Sequence, residues 1–253
     1  MNAADLESPH GLFLTGTDTG VGKTLVSAAL AYLLAQQGVR VGVAKPFESG
    51  VSDPADLGED GCLLRWASDS REDADRITPY RLREPLAPAL AARREGVEID
   101  WPYVIETIRA GRQRCEFQIV EGAGGLLVPL AGTRLVADLA RESGWPLIIV
   151  ARAGLGTINH TLLTLESARS RGLTVAGWVI NGLEVTASVA EQHAAQEIAR
   201  LTDIPCWGVL PQVVGTPQEK VVGLARVMQE WPAIRAMCDK LSVQAKAVSF
   251  CDK

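Results

Sequence analysis

No run in this sequence is apolar for long enough to cross a membrane. The most apolar stretches, such as Leu147–Val150, fall far short of the roughly 20 residues that a bilayer requires. The polar segment Met1–His10 also lacks the basic-then-apolar pattern of an export signal. A basic surplus is missing too. With 25 Lys and Arg against 30 Asp and Glu, the net charge is −5, so no broad positive field is available to hold nucleic acid. None of the five cysteines, Cys62, Cys115, Cys206, Cys238 and Cys251, pairs as C-x-x-C, which argues against a zinc ribbon or a dithiol redox motif. Their scatter fits reduced cytoplasmic thiols, with Cys115 and Cys206 read as core packing. No internal repeat or linker divides the chain.

What is present is ordinary globular material. The chain has 253 residues, 47% hydrophobic and 22% charged, which suits one α/β domain with a sizeable core. Apolar strands alternate with amphipathic helices, and this alternation predicts a mostly parallel sheet covered by helices on both faces. Strands are expected at Gly11–Thr15, Val39–Lys45, Phe117–Val120, Pro146–Ala151, Leu173–Asn181 and Pro205–Leu210. Helices are expected at Thr24–Gln37, Asp60–Ala67, Pro88–Arg94, Trp101–Arg112, Leu135–Glu142, a segment from about Thr157 to Arg171, and Ser188–Leu201. In the first helix Leu25, Ala28, Ala29 and Tyr32 form the expected apolar stripe. Pro46 and Gly50 are expected to break the second strand. The domain is expected to span 11–235, with 236–253 a tail whose end, from roughly Leu241 to Lys253, reads as disordered or a cloning remnant.

The strongest chemical motif is Gly16-Thr17-Asp18-Thr19-Gly20-Val21-Gly22-Lys23-Thr24, which leaves a strand and opens a helix. That context is what a phosphate-binding loop requires. Glycines let backbone N–H groups curl around phosphate oxygens, and the helix N-terminus adds its positive end. Gly20, Val21, Gly22, Lys23, Thr24 and Leu25 therefore read as nucleotide contacts. Lys23 would reach the β and γ phosphates, and the Thr24 hydroxyl would reach magnesium. Five residues separate Gly16 from Gly22 where the usual pattern has four. Asp18 stands where deviant partitioning ATPases carry a second lysine, which argues against an ATP-driven switch of that kind.

The loop Thr15–Thr24 resembles that of the dethiobiotin synthetase family, and further segments match in order. They are Lys45-Pro46-Phe47-Glu48-Ser49-Gly50, Pro79-Tyr80 through Pro85-Leu86-Ala87-Pro88, Val120-Glu121-Gly122-Ala123-Gly124-Gly125, Gly156-Thr157-Ile158-Asn159-His160, and Gly177-Trp178-Val179-Ile180-Asn181. The resemblance covers roughly residues 11 to 215 and implies a P-loop fold. It also implies an ATP- and magnesium-dependent ligase that joins carbon dioxide to 7,8-diaminononanoate and closes the ureido ring of dethiobiotin.

Residue by residue, the resemblance implies catalytic roles for Lys45, Lys23 and Ser49, and magnesium held by Thr24, Asp60 and Glu121. Asp60 could instead cap a helix. Thr19, Ser49, Glu121, Gly122, Ala123 and Gly124 are implied to face the substrate, the glycines serving otherwise as a tight turn. Thr157 and Asn159 open a helix whose free N–H groups suit the substrate carboxylate, supplied across a homodimer interface; ordinary capping by Thr157 is the alternative. His160 reads as a supporting residue. Asn181 with Pro211, Gln212 and Val213 is implied to read adenine, although Asn181-Gly182 also suits a turn.

Two departures from the family pattern stand out. Gly20 holds a slot that is often acidic. Glu48 replaces a small or neutral residue, so its carboxylate would meet the diamine's ammonium or face water. A related amidating enzyme of cobalamin synthesis would carry a glutaminase domain, and no such segment is present.

Overall fold

The computed structural model describes residues 10–251; the polar N-terminal stretch 1–9 and the last two residues of the expected tail lie outside the described residues. At the centre is β1 (Gly11–Gly16), buried along its whole length. Around it one sheet runs in the order β10 (Cys206–Pro211), β9 (Val175–Leu183), β8 (Leu147–Arg152), β1, β5 (Phe117–Gly125), β2 (Val41–Ala44). Every neighbouring pair is parallel. The P-loop α/β fold is thus present as expected.

Period-two alternation places the two cores. Leu12, Leu14, Ile119, Ile148 and Val150 face α1 (Lys23–Gln36), α9 (Pro217–Met228) and α10 (Pro232–Cys251). Phe13, Val120 and Leu147 face α5 (Trp101–Arg112) and α6 (Val136–Ser143). Ile149 and Ala151, on that same face, pack with α7 (Thr157–Ser170) and α8 (Val189–Leu201). Both faces of the sheet are covered, which is why its strands read as continuous apolar runs.

Four local expectations change. The stripe expected on α1 is only part of its buried surface: Ala28 and Ala29 are buried, but Leu25 and Tyr32 are only partly so, and Val26, Leu30, Leu33 and Leu34 are buried as well. The helix is enclosed by the sheet, by α9 and by α2 (Glu59–Ala67), so one-sided periodicity captures only part of that surface. Pro46 and Gly50 do break the second strand, but an unexpected short strand lies between them. This β3 (Phe47–Ser49) pairs in parallel with β4 (Tyr80–Leu82), the Tyr80 N–H donating to the Pro46 carbonyl at 3.1 Å. A three-residue strand has no period to read. Cys115 and Cys206 are half-buried at element ends, and Cys238 is the buried thiol among the described cysteines. The boundary expected at 236 falls inside α10, where Met237 and Leu241 are buried.

Candidate active site

The chemistry gathers where β1 runs into α1. Gly22 adopts a left-handed conformation (φ 85°) and caps α1 without any side-chain hydrogen bond, so no side chain competes for the first-turn N–H groups. Lys23 folds back across its own loop, its Nζ donating to the Asp18 carbonyl at 3.2 Å. Burial holds its pKa below the ordinary lysine value, against the pull of the Glu121 carboxylate.

The loop is braced from β9. Asn181 Nδ2 donates to the Val21 carbonyl at 3.0 Å, and a Cβ on Gly22 would lie 2.1 Å from that nitrogen. Gly22→Ala is expected to weaken ATP binding roughly tenfold, since a left-handed conformation costs an L-residue about 1–2 kcal/mol and the methyl would displace Asn181. Titration with a fluorescent ATP analogue reads this; an unchanged dissociation constant would refute the link between this brace and the loop.

Behind the loop, three charged groups and a hydroxyl meet. Lys45 lies just beyond β2, at the carboxyl end of the sheet where α/β folds bind ligands. Its buried Nζ donates to Glu121 Oε1 at 2.7 Å and lies 2.6 Å from Asp60 Oδ2. Thr24 Oγ1 donates to the same Glu121 oxygen at 2.8 Å. One carboxylate therefore ties the phosphate loop to the end of β2. Burial alone would depress the Lys45 pKa, but the two carboxylates outweigh it and hold the ammonium above its ordinary range. Burial likewise works to raise the Asp60 pKa, and Lys45 outweighs it, keeping the carboxylate below its ordinary value.

The three expected metal ligands, Thr24, Asp60 and Glu121, are thus brought together. Their ion pairing with Lys45 is a feature that spacing along the chain does not reveal. Glu121 Oε2 is buried without a hydrogen-bond partner, and an orphaned carboxylate oxygen beside a hydroxyl and a second carboxylate is a hard-oxygen set that fits magnesium. Among the described residues no group of three or more His, Cys, Asp or Glu side chains forms a metal cluster.

Sequence reasoning missed the part played by Glu48. It is almost wholly buried at the edge of the cleft. Its Oε1 accepts from the Asp60 N–H at 2.9 Å and its Oε2 from the Gly61 N–H at 3.1 Å. Burial pushes its carboxyl pKa up, with Lys45 opposing. The readable signal was the start of α2, where Gly58 stands in place of a Ser, Thr or Asp cap.

A cleft of about 340 Å³ opens over Lys23 and Lys45; Thr19, Ser49, Ala123 and Gly124 border it, as does Leu25. Gly20, at φ 73°, borders it too. Gly122 does not: Val136 Cγ1 fills the space over its Cα, a packing role that follows from β5 continuing as strand to Gly125 instead of ending at Val120. Asn181 gives one of its two amide N–H donors to the loop. Pro211 and Gln212 are exposed at the end of β10, with the Gln212 N–H donating to the Leu183 carbonyl at 2.8 Å, and Val213 packs beside Gly223. Thr157 is buried with an unpartnered hydroxyl and follows the cap Gly156, so it is not the cap itself. Asn159 is exposed, and neither residue borders the cleft. His160 packs beside Gly156. A larger cavity of about 530 Å³ lies by Arg40 and Arg114, at the opposite, amino-terminal end of β2.

Comparison with known proteins identifies the family. The family described as an AAA domain matches residues 10–219. The chain is 50% identical over 204 residues to the ATP-dependent dethiobiotin synthetase BioD of Anaeromyxobacter dehalogenans, covering 80% of this chain and 90% of that protein. It is 41% identical over 217 residues to the protein of the same name from Bacillus subtilis, covering 86% and 94%. Among solved structures, a ParA family ATPase from Chlorobium tepidum superposes with a TM-score of 0.54 at 16% identity, covering 93% of this chain and 98% of that one; at that identity the likeness is one of fold. Because the sequence similarity extends over nearly the whole of those two relatives, and not the phosphate loop alone, the chain belongs to the dethiobiotin synthetase family.

Proposed function

We propose that this protein carboxylates 7,8-diaminononanoate with carbon dioxide and closes the product to dethiobiotin, using ATP and magnesium. The observation that carries this reading is the single buried oxygen, Glu121 Oε1, that joins Thr24 of the phosphate loop to Lys45. A phosphate loop alone suits any nucleotide-binding protein. A second buried lysine held beside it suits the transfer of a phosphoryl group to an anionic acceptor.

One amine of the substrate takes up carbon dioxide and loses a proton, giving a carbamate. A carbamate oxygen attacks the γ phosphorus and ADP leaves. The second amine then attacks the carbonyl carbon of the mixed anhydride, expels phosphate and loses its proton as the ring closes. Lys23 holds phosphate oxygens, and Lys45 neutralises charge shared between the γ phosphoryl group and the carbamate. Ser49, bordering the cleft, donates to the substrate. Thr24, Asp60 and Glu121 would hold magnesium, which when bound neutralises charge on the phosphate oxygens.

Asn181 gives one of its two amide N–H donors to Val21, and its carbonyl oxygen can accept from an exocyclic amine, a match for adenine; Pro211 ends the neighbouring strand, and Gln212 and Val213 follow it. Thr157 and Asn159 stand apart from the cleft of their own chain. That separation supports a homodimer in which they receive the substrate carboxylate from a partner's site. Leu155 and Leu163, 83% and 55% exposed, are apolar surface beside them for such an interface. No helix among the described residues is long and apolar enough to cross a membrane, in keeping with a cytoplasmic enzyme of small molecules.

Phosphate release from magnesium-ATP and bicarbonate is expected to depend on added diaminononanoate, with dethiobiotin appearing in equal amount. Slow release indifferent to the diamine would point to a switch ATPase and overturn the proposal.

A further inference from the structure

The residue directly following Lys45-Pro46-Phe47 is tied to the residue that Lys45 pairs with. Glu48 projects from β3 onto the N-terminus of α2, where both its oxygens are occupied by backbone N–H groups, one of them Asp60's own. No side chain of α2's own start caps it, so the cap is delivered from a distant strand. The acidic side chain suits the positive end of the helix.

Two glycines make room for this arrangement. A Cβ on Gly58 would lie 2.2 Å from Glu48 Oε1, and one on Gly61 would lie 3.2 Å from Oε2. Gly58 has an ordinary extended conformation, φ −71° and ψ −179°, which any residue can adopt. Its lack of a side chain answers to the Glu48 carboxylate and not to backbone strain.

The approach to α2 is tethered as well. The Val51 N–H donates to the Leu82 carbonyl at 3.0 Å, and Arg81 Nε donates to the Pro54 carbonyl at 2.7 Å. Glu48 is the element of this scaffold that touches Asp60 directly. The Asp60 carboxylate would otherwise ride on a fraying helix end, one turn from a long loop.

We propose that Glu48 is a positioning residue: by capping α2 from β3, it fixes Asp60 against Lys45 and so sets the affinity of the Thr24–Asp60–Glu121 oxygen cluster for its divalent cation. This rests on the reading of those three residues as the magnesium site. Glu48 touches no reacting atom in this account. Its action passes through the backbone of Asp60, as an outer partner commonly orients a metal-ligating carboxylate.

The test is a double-substitution cycle on the full chain, read by Mn2+ titration of the protein bound to a non-hydrolysable ATP analogue. Glu48→Gln keeps the shape of the side chain but turns an NH2 group toward one of the two N–H donors. It is expected to weaken Mn2+ binding roughly tenfold, the lower end for loss of an outer partner, and to raise the Mg2+ concentration for half-maximal turnover by a similar factor, with the KM for ATP little changed. Gly58→Ala in the otherwise unaltered chain is expected to do the same by pushing the carboxylate away. In a Glu48→Ala background, where that space is empty, adding Gly58→Ala should change nothing further, because substitutions that act on one contact are not additive.

Melting temperature is followed in parallel. If the variants lose stability while Mn2+ affinity stays at the parent value, Glu48 is a structural cap only and the proposal is wrong. Additive effects of Glu48→Ala and Gly58→Ala would overturn it too. Failure of the parent protein to consume ATP in a diamine-dependent way would strike the proposed reaction instead, and the Mn2+ titration, which needs no turnover, would still decide the role of Glu48.

Discussion

Lys45→Gln is expected to lower diamine-dependent phosphate release by roughly 10²–10³-fold, the usual scale for removing one preorganised group that stabilises transition-state charge, while ATP binds within a few-fold of normal. The split follows from position. Lys23 and the backbone of the loop hold the nucleotide, whereas Lys45 approaches from the end of β2, on the acceptor side. The substitution also removes the counter-ion of two carboxylates. Glu121, 1% exposed, would keep the Thr24 hydroxyl and the more distant Lys23 ammonium, and leaving a buried charge without its close partner costs about 3–5 kcal/mol. A urea denaturation curve should show that loss, and saturating magnesium-ATP should restore part of it, since binding to the folded state alone is stabilising.

The loss should also be constant through the neutral pH range. The pKa of Lys45 is raised in the folded state above the ordinary 10.5, so its stabilisation is fully present below the unfolded value. It fades only as pH climbs through the still higher folded value. A Lys45→Gln protein with full turnover, or one whose defect is equally large in ATP affinity, would remove Lys45 from the chemistry.

Glu121 is the second position where a large effect is expected, and two substitutions separate its duties. Glu121→Gln retains a carbonyl oxygen for Thr24 and Lys45 but gives up the negative charge. It should fold, lose turnover by roughly 10²–10³-fold through the loss of metal-assisted charge neutralisation, and need far more magnesium. Glu121→Ala empties a buried position and leaves Lys23 and Lys45 with Asp60 as their remaining close carboxylate. It is expected to be less stable by about 3–5 kcal/mol. Turnover against magnesium concentration, measured beside urea melts, distinguishes the two. An alanine variant as stable as the parent would mean that the buried pair is not what holds the site together.

Much of the fold is legible in the order of residues alone. Long elements announce themselves: Trp101–Arg112 has the predicted bounds, and most other helices and core strands lie within one or two residues of expectation, because hydrophobic period and capping residues act over a single turn or pleat. The phosphate loop is readable for the same reason, since Gly20, Gly22, Lys23 and Thr24 sit next to one another in the chain and their chemistry is local. The short strands β3 and β4 are not, because each exists only through its pairing with the other across thirty-odd residues of chain. The fully enclosed α1 misleads for a related reason: it is apolar on more than one side, so periodicity points to no single face.

The site divides along the same line. Residue types adjacent in sequence are enough to point to a phosphate-binding loop and a P-loop α/β fold, whereas Lys45, Asp60 and Glu121 are singled out by the family resemblance. Only the folded chain brings Lys45 to within 3 Å of both carboxylates, turns Asn181 inward to brace Val21, and puts Glu48 on the end of α2. Those contacts join residues 12 to 160 positions apart. Their energies depend on burial and on distances of a few ångströms, quantities that a linear order of residues does not contain.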